Sequence, residues 1–454
     1  MAKNGLYTGI DIGTNTIKVL VAEYVSGEMN IIGNGNARSE GLKNGIIVDI
    51  EKTAMSIRKA VNAAQEKAGI TIDTLNVGIP ANQLGIEPCQ GMIQIAGGNK
   101  EIMDNDVIEV VSNALMRGLV PEREIIMVEP KEFIVDGFSD ISDPRGMVGV
   151  RLEMKGVLYT GPRTLIHNII SAVERAGLSV GNIVVSSLSL SKYILNDGER
   201  DFGTIMIDLG AGQTTVAAVK DKDLQVVNTR AEGGDYITKD ISTVLNTSIQ
   251  SAEEIKTNYG EADITRASQD EFFLVDTVGK NDPEQVSEYY LSGIIEARLS
   301  QIFEKIRQDL EQKRITEYPG GVVLFGGAAA MPGIDVIANK VLERNVRLYV
   351  PKELGLRNPL FSQVISVVDY VSKRSDIEIL VTRAVLGDLP PAPVYEQTSQ
   401  VVAQTPSPAP QVVEEGQIYS AEAVERTQPK KKENAEEGEG LLGRVRGMFT
   451  NMFD

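Results

Sequence analysis

The sequence predicts a layered α/β protein made of two related halves, followed by a tail that does not fold with them. Three observations carry this expectation. Strand-type apolar runs alternate with segments whose apolar residues recur at helical spacing. One short motif occurs twice, almost half the folded chain apart. The composition then changes abruptly at Leu389.

The strand-type runs are residues 10–22, 74–79, 147–158, 182–187, 204–219 and 321–324. Helical spacing marks 52–68, 106–117, 164–176, 236–245, 252–259, 289–312 and 334–342. A chain of 454 residues has room for about three domains. Its 45 basic and 63 acidic residues leave a net charge of −18, which repels phosphate backbones and argues against nucleic acid as a general partner. A single cysteine, Cys89, excludes an intramolecular disulfide. A single histidine, His167, leaves no histidine metal cluster and no serine–histidine–aspartate chemistry; helix packing is its expected role. The N-terminus lacks the apolar stretch of a secretory signal, and no run of about 18 apolar residues occurs. A cytoplasmic protein is expected.

Residues 390–440 hold seven of the 18 prolines and no Phe, amid Gln, Ser, Thr, Ala and Glu. Such a stretch cannot bury enough apolar surface to offset its ordering entropy, so it reads as a disordered linker. Residues 441–454 turn apolar again. Leu441, Leu442, Val445, Met448, Phe449, Met452 and Phe453 fall on one face of a helix, within about 140° of arc, and Arg444 and Arg446 flank it. Fourteen residues make roughly 21 Å of helix, too short to cross ~30 Å of hydrocarbon, so this amphipathic helix would lie in a membrane interface. The alternative is docking on the protein's own core or on a partner.

The repeat pairs Ile10-Asp11-Ile12-Gly13-Thr14-Asn15-Thr16 with Ile207-Asp208-Leu209-Gly210-Ala211-Gly212-Gln213. Each copy reads as a β-hairpin with small turn residues, where Gly13 and Gly210 would allow backbone conformations closed to other residues. Turn N–H groups, with Thr14, Asn15, Thr16, Gly212, Gln213, Thr214 and Thr215, could cradle phosphate oxygens. Asp11 and Asp208, at the strand ends, could hold Mg²⁺ through its water shell. Lys18 could neutralise a phosphate. The plain alternative is a pair of ordinary turns. A third glycine-rich element, Gly326-Gly327-Ala328, follows an apolar strand and allows close backbone approach to a flat ligand, or is simply a strand-to-helix turn. Gly233-Gly234-Asp235 is a weaker signal of the same kind. In Ser251-Ala252-Glu253-Glu254-Ile255-Lys256, two readings stay open: a Ser251/Glu254 capping box, or a Glu253/Lys256 grip on ribose and adenine. No G-x-x-x-x-G-K-[ST] loop occurs.

These hairpins, with Glu253-x-x-Lys256 and Gly326-Gly327-x-x-x-Met331-Pro332-Gly333, resemble the motifs of the actin/Hsp70/sugar-kinase ATPase superfamily. Within it, Gly45-Ile46-Ile47-Val48-Asp49, Gly161-Pro162-Arg163, Glu232-Gly233-Gly234-Asp235 and Asn258-Tyr259-Gly260 resemble the bacterial cell-division FtsA family. The resemblance implies an actin-like two-lobed ATPase fold that binds ATP with Mg²⁺ and is at most a weak ATPase, with nucleotide acting as an assembly ligand; no residue stands out as a catalytic base. It further implies a division by parts: 1–84 and 164–203 as the first lobe, an inserted α/β subdomain at 85–163, and 204–234 and 316–362 as the second lobe's core. A small subdomain at 235–315 and a return to the first lobe at 363–389 complete the folded part. The implied role is polymerisation on the inner face of the cytoplasmic membrane at the division septum, contact with other division proteins, and tethering of FtsZ through its C-terminal tail. Arg298, Lys305 and Arg307 are candidate contacts for that tail. The alternative is a small-molecule (sugar) kinase on the same core, which would need a carboxylate base beside the terminal phosphate.

Overall fold

The structure, a computed structural model, describes residues 3–386 apart from 98–99, 117–119 and 281. The expected linker 390–440 and the helix 441–454 lie outside the described residues.

The first lobe opens with the hairpin of β1 (Gly5–Ile12) and β2 (Thr16–Val25), in register from Gly5↔Tyr24 to Ile12↔Ile17. β3 (Glu28–Arg38) extends the sheet, and α1 (Ile50–Ala68) covers it. The Asp49 side chain caps α1 by accepting from the Lys52 amide at 3.1 Å, and Gly69 ends it in the left-handed region. Two glycines on β3 let α1 lie directly on the strand. A Cβ at Gly35 would overlap the Ala60 carbonyl oxygen, and one at Gly33 would lie 2.6 Å from the Ala68 Cβ. β4 (Thr74–Ile79) then runs parallel to β1.

The insert comes next: β5 (Gly85–Gln94), α2 (Asp104–Ala114), β6 (Arg123–Val135), β7 (Phe138–Ile141) and β8 (Arg151–Pro162). Its strands form an antiparallel sheet of order β7-β6-β8-β5 with α2 packed against it. Here Gly91 repeats the device of Gly35: a Cβ there would come within 2.7 Å of the Ala114 amide on α2. Val107, Val110, Phe133, Leu152 and Met154 form a core of its own. Buried Glu129 on β6 receives Lys192 of the first lobe at 2.6 Å and Lys131 at 3.0 Å, and Lys131 also bridges to Asp223 of the second lobe.

The chain returns through α3 (Arg163–Arg175), β9 (Ser179–Val185) and α4 (Ser186–Ile194). The run expected as a strand to 187 therefore stops at Val185, and its last two residues are helical. The second lobe holds β10 (Thr204–Leu209), β11 (Thr214–Lys220), β12 (Asp223–Arg230), α5 (Gly234–Val244), α6 (Ile249–Tyr259), α7 (Glu288–Gln312), β13 (Val322–Phe325), α8 (Ile334–Leu342) and β14 (Val346–Leu348).

The two main sheets have orders β9-β4-β1-β2-β3 and β12-β11-β10-β13-β14. Counted within its own half, each reads third, second, first, fourth, fifth strand. In both, the first two strands are antiparallel and the fourth runs parallel to the first. The repeated motif thus extends to a repeated topology. α9 (Ser362–Ser372) packs Val364, Ile365 and Val368 against Leu20 and Tyr24 of the first lobe. α10 (Asp376–Leu386) does not join it: Ile377, Leu380 and Val381 enter the core of the insert. Of the stretch 363–389, expected to return to the first lobe, α9 does so, whereas the described part of α10 completes the insert's core with its apolar face.

Candidate functional site

The two hairpin turns face each other across a cleft of about 390 Å³, within the size range of small-molecule sites. Both turns close alike, the Gly13 amide donating to the Thr16 carbonyl at 3.2 Å and the Gly210 amide to the Gln213 carbonyl at 3.0 Å. The reason for glycine differs from expectation. Neither residue has a positive φ; instead a Cβ at Gly13 or Gly210 would stand 2.8 or 2.9 Å from the accepting carbonyl oxygen.

Asp11 and Asp208 occupy the same place in the two halves, yet their partners differ. Asp11 lies opposite Lys18 in the hairpin, and the buried lysine holds it at 2.7 Å. Lys18 is therefore engaged by a carboxylate of its own hairpin, although it still lines the cleft. The residue opposite Asp208 is Thr215, which has no charge. Burial, then the charge of Asp11, push the Asp208 carboxyl up to about 7. Two carboxylates with one lysine leave a local excess of negative charge, which a divalent cation would relieve. Among the described residues no group of three His, Cys, Asp or Glu could cage a metal. Mg²⁺, which keeps most of its waters and takes few carboxylates, fits this donor set.

The pH consequence comes from linkage. The unfolded Asp208 carboxyl titrates near 3.8 and the folded one near 7, so between those values the folded chain holds a proton that the unfolded chain has lost. Stability from this group falls as pH rises from about 4 to about 7 and is level above. Asp208→Asn removes that fall. Its stability advantage over the parent should grow from pH 5 to pH 7.5, by no more than a few kcal/mol. Paired urea melts measure it, and an advantage that shrinks with pH would contradict the assignment.

Around the cleft, Gly326 has φ +99°, and a Cβ there would overlap a carboxylate oxygen of Asp208. Gly327 and Ala328 continue the wall. On α6, Lys256 donates to Glu253 at 2.6 Å, to the Thr238 hydroxyl at 2.7 Å and to the Gly234 carbonyl at 3.2 Å. The capping-box alternative falls, because the N-cap of α6 is Ser248, which accepts from the Ser251 amide at 3.0 Å. Asp11, Gly13, Thr14, Asn15, Thr16, Lys18, Asp208, Gly210, Gly212, Gln213, Thr215 and Gly234 all line the cleft, as do Glu253 and Lys256.

Three candidates stand behind the wall instead. Buried Thr214 donates to the Glu232 carbonyl at 2.7 Å. Gly233 packs against the Gly210 and Ala211 carbonyls, and Asp235 accepts from Asn15 at 3.1 Å, tying the lobes together. Gln213 makes a second tie by accepting from Asn82 at 3.1 Å. Sequence reasoning missed Gly45, Pro80, Ser186, Ser187, Pro359 and Gln363, which also line the cleft. Several come just after the fourth and fifth strands of a half, so extending the repeat beyond its hairpins would have pointed to them.

Among the partner candidates, Arg298 is corrected. It is 2% exposed, held by Asp240 of α5 at 2.9 Å. Its position on α7 is an apolar-facing one, so the charge is neutralised in the interior and presents no surface. Lys305 pairs with Glu232 at 2.8 Å and Arg307 with Glu343 at 2.6 Å, both partly exposed. His167 lies exposed on α3, 3.4 Å from Ser171. The membrane candidates 441–453 lie outside the described residues.

Comparison with known proteins agrees with this architecture. Family models described as cell division protein FtsA, the SHS2 domain inserted in FtsA, and the C-terminal part of FtsA match residues 205–366, 81–160 and 377–454. Cell division protein FtsA of Enterococcus faecalis is 49% identical over the whole of both chains. That of Streptococcus pneumoniae is 47% identical, again over both whole chains. That of Bacillus subtilis is 40% identical, covering 83% of this chain and 86% of its own. Among solved structures, a PilM-PilN type IV pilus biogenesis complex aligns with a TM-score of 0.55 at 15% identity, over 81% of this chain and 99% of that one. MreB5 of Spiroplasma citri bound to ADP aligns at 0.51 and 12%, over 81% and 98%. These distant likenesses show the actin-like fold. With full-length identity near one half, and a family model for the insert as well as for the lobes, the chain belongs to the FtsA family of cell division proteins.

Proposed function

We propose that this cell-division protein binds ATP with Mg²⁺ in the cleft, assembles into filaments, and holds FtsZ to the inner face of the cytoplasmic membrane at the septum. The observation that carries the reading is the pair of equivalent turns closing on one cleft, with Asp208, which has no lysine opposite it, on its wall. When bound, Mg²⁺ would supply the positive charge that triphosphate oxygens need there. The hairpin amides would orient those oxygens, and Glu253 and Lys256, locked by Thr238, would grip the ribose. The MreB5 neighbour is described as bound to ADP, which is in keeping with a nucleotide here.

The insert is in keeping with an assembly role, since Phe138, Val148 and Val150 leave apolar side chains exposed on it. Among the described residues no helix is long and apolar enough to cross a membrane. Attachment is therefore assigned to the amphipathic pattern of 441–454, and the FtsZ tail to the surface of 235–315, with Lys305 and Arg307 as candidate contacts. A kinase reading has no support in relatives that match this chain from end to end as cell division proteins.

Co-sedimentation tests the whole. The full chain with Mg-ATP should pellet with anionic vesicles and carry FtsZ down with it, and FtsZ lacking its C-terminal tail should stay in solution. Pelleting of tailless FtsZ to the same extent would remove the tethering assignment.

A further inference from the structure

Between β14 and α9 the chain makes one tight turn. The Leu356 amide donates to the Glu353 carbonyl at 3.1 Å, and Gly355 has φ +82° with open space where a Cβ would stand. That is the glycine conformation of a type II turn, whose corner residues are Leu354 and Gly355. Both ends of the turn are pinned. The Leu356 side chain is fully buried in the cluster of Leu20, Tyr24 and Val364, and the Glu353 carboxylate turns inward to accept from the Tyr193 hydroxyl. Leu354 is thereby held out in water, 83% exposed, more than any other large apolar side chain among the described residues.

The charges beside this leucine are one-sided. Lys352 and Arg357 flank the turn, both exposed, and neither has an ion-pair or hydrogen-bond partner among the described residues. The acid between them, Glu353, is engaged with Tyr193, and Arg347, just upstream, is neutralised by Glu199 at 2.9 Å. A chain of net charge −18 thus presents two free cations beside one protruding leucine. Leu354 lines no part of the cleft. A specific protein partner needs about 800 Å² on each side, far more than one leucine corner offers. An isolated apolar tip with cations at its base suits a surface that yields to it. The tip enters the hydrocarbon boundary while the long basic side chains reach lipid phosphates.

We propose that the turn at Leu354, with Lys352 and Arg357, is a second membrane contact, which lays the folded part against an anionic lipid surface. The proposal goes beyond attachment through 441–454 and rests on that membrane reading. One leucine and two cations bind too weakly to recruit the chain by themselves. A chain already tethered to the bilayer meets the surface at high effective concentration, where a weak contact is sufficient. The C-terminal helix would then supply attachment and the turn orientation, since a pinned turn fixes which side of the folded part faces the lipid.

Vesicle titrations of the full chain test this on phosphatidylglycerol-rich and on pure phosphatidylcholine vesicles, without nucleotide so that single subunits are compared. Leu354→Ser should weaken partition into the anionic vesicles about fivefold, and the pair Lys352→Gln with Arg357→Gln about tenfold or more. On phosphatidylcholine the pair should have no effect. All three positions are exposed, so melting temperatures should match the parent. Leu354→Cys carrying an environment-sensitive dye reads the contact directly, because Cys89 is 3% exposed and escapes labelling. Its emission should shift to the blue on anionic vesicles. A dye that stays in water while the chain binds vesicles, or variants that partition like the parent, overturn the contact and leave the membrane reading standing. A dye that shifts with Mg-ATP in the absence of lipid assigns the leucine to a contact between copies and overturns the proposal too. A parent that binds no vesicle overturns the membrane reading and the contact with it.

Discussion

Replacing Phe449 and Phe453 with Glu should transfer the protein from the vesicle pellet to the supernatant. Each phenylalanine falls on the apolar face that the sequence pattern of 441–454 predicts, and burying one in an interface contributes on the order of 2 kcal/mol. Losing both, and adding two carboxylates near anionic lipid, should weaken membrane partition by about 100-fold or more. A single such helix binds weakly, since each flanking Arg adds only about 1 kcal/mol. Filaments that carry many copies bind tightly by avidity. The contrast should therefore be sharpest with Mg-ATP present. ATP affinity should not move, because none of the cleft-lining residues lies in 441–454. A double variant that pellets with vesicles like the parent would sink the anchor assignment.

Gly35→Leu should be the most damaging single change among the glycines of the first lobe. A Cβ there overlaps the Ala60 carbonyl oxygen and comes 2.7 Å from the Ala64 amide, all backbone of α1. No rotamer can relieve a backbone clash, so the helix must lift off the sheet and open the core around Ile57, Val61 and Ala64. Overpacking of this kind costs about 3 kcal/mol or more, a large share of a domain's stability. Gly137→Ala is the matched control: its φ is +90° but the space is open, so only backbone strain of about 1 kcal/mol is added. Denaturant melts of the two variants compare them. Equal losses would show that α1 yields more easily than its contacts imply.

The two-lobed plan was legible because a repeated Asp-x-Gly turn can be read without knowing what packs on what. The cleft came with it, since equivalent turns of two halves must face something in common. Packing partners were less legible. The pattern of α10 shows one buried face, yet amphipathicity names no recipient, and Ile377 and Val381 enter the insert rather than the first lobe. Arg298 misled for a related reason: a cation at helical spacing looks solvated until the carboxylate 58 positions earlier, Asp240, is found beneath it. Ser186 and Ser187 carried no signal as letters. Their meaning comes from the end of β9, where strand gives way to helix at the edge of the cleft.

The halves are copies in topology but not in charge. Lysine stands opposite the carboxylate in one, threonine in the other. A pocket with true twofold symmetry would accept an elongated ligand equally well in either direction. Here the exchange of one cation for one hydroxyl breaks that degeneracy and gives the cleft an electrical polarity. If the cleft takes the proposed nucleotide, every copy of the chain would receive it the same way round, with the same end of the ligand toward the half that carries Lys18.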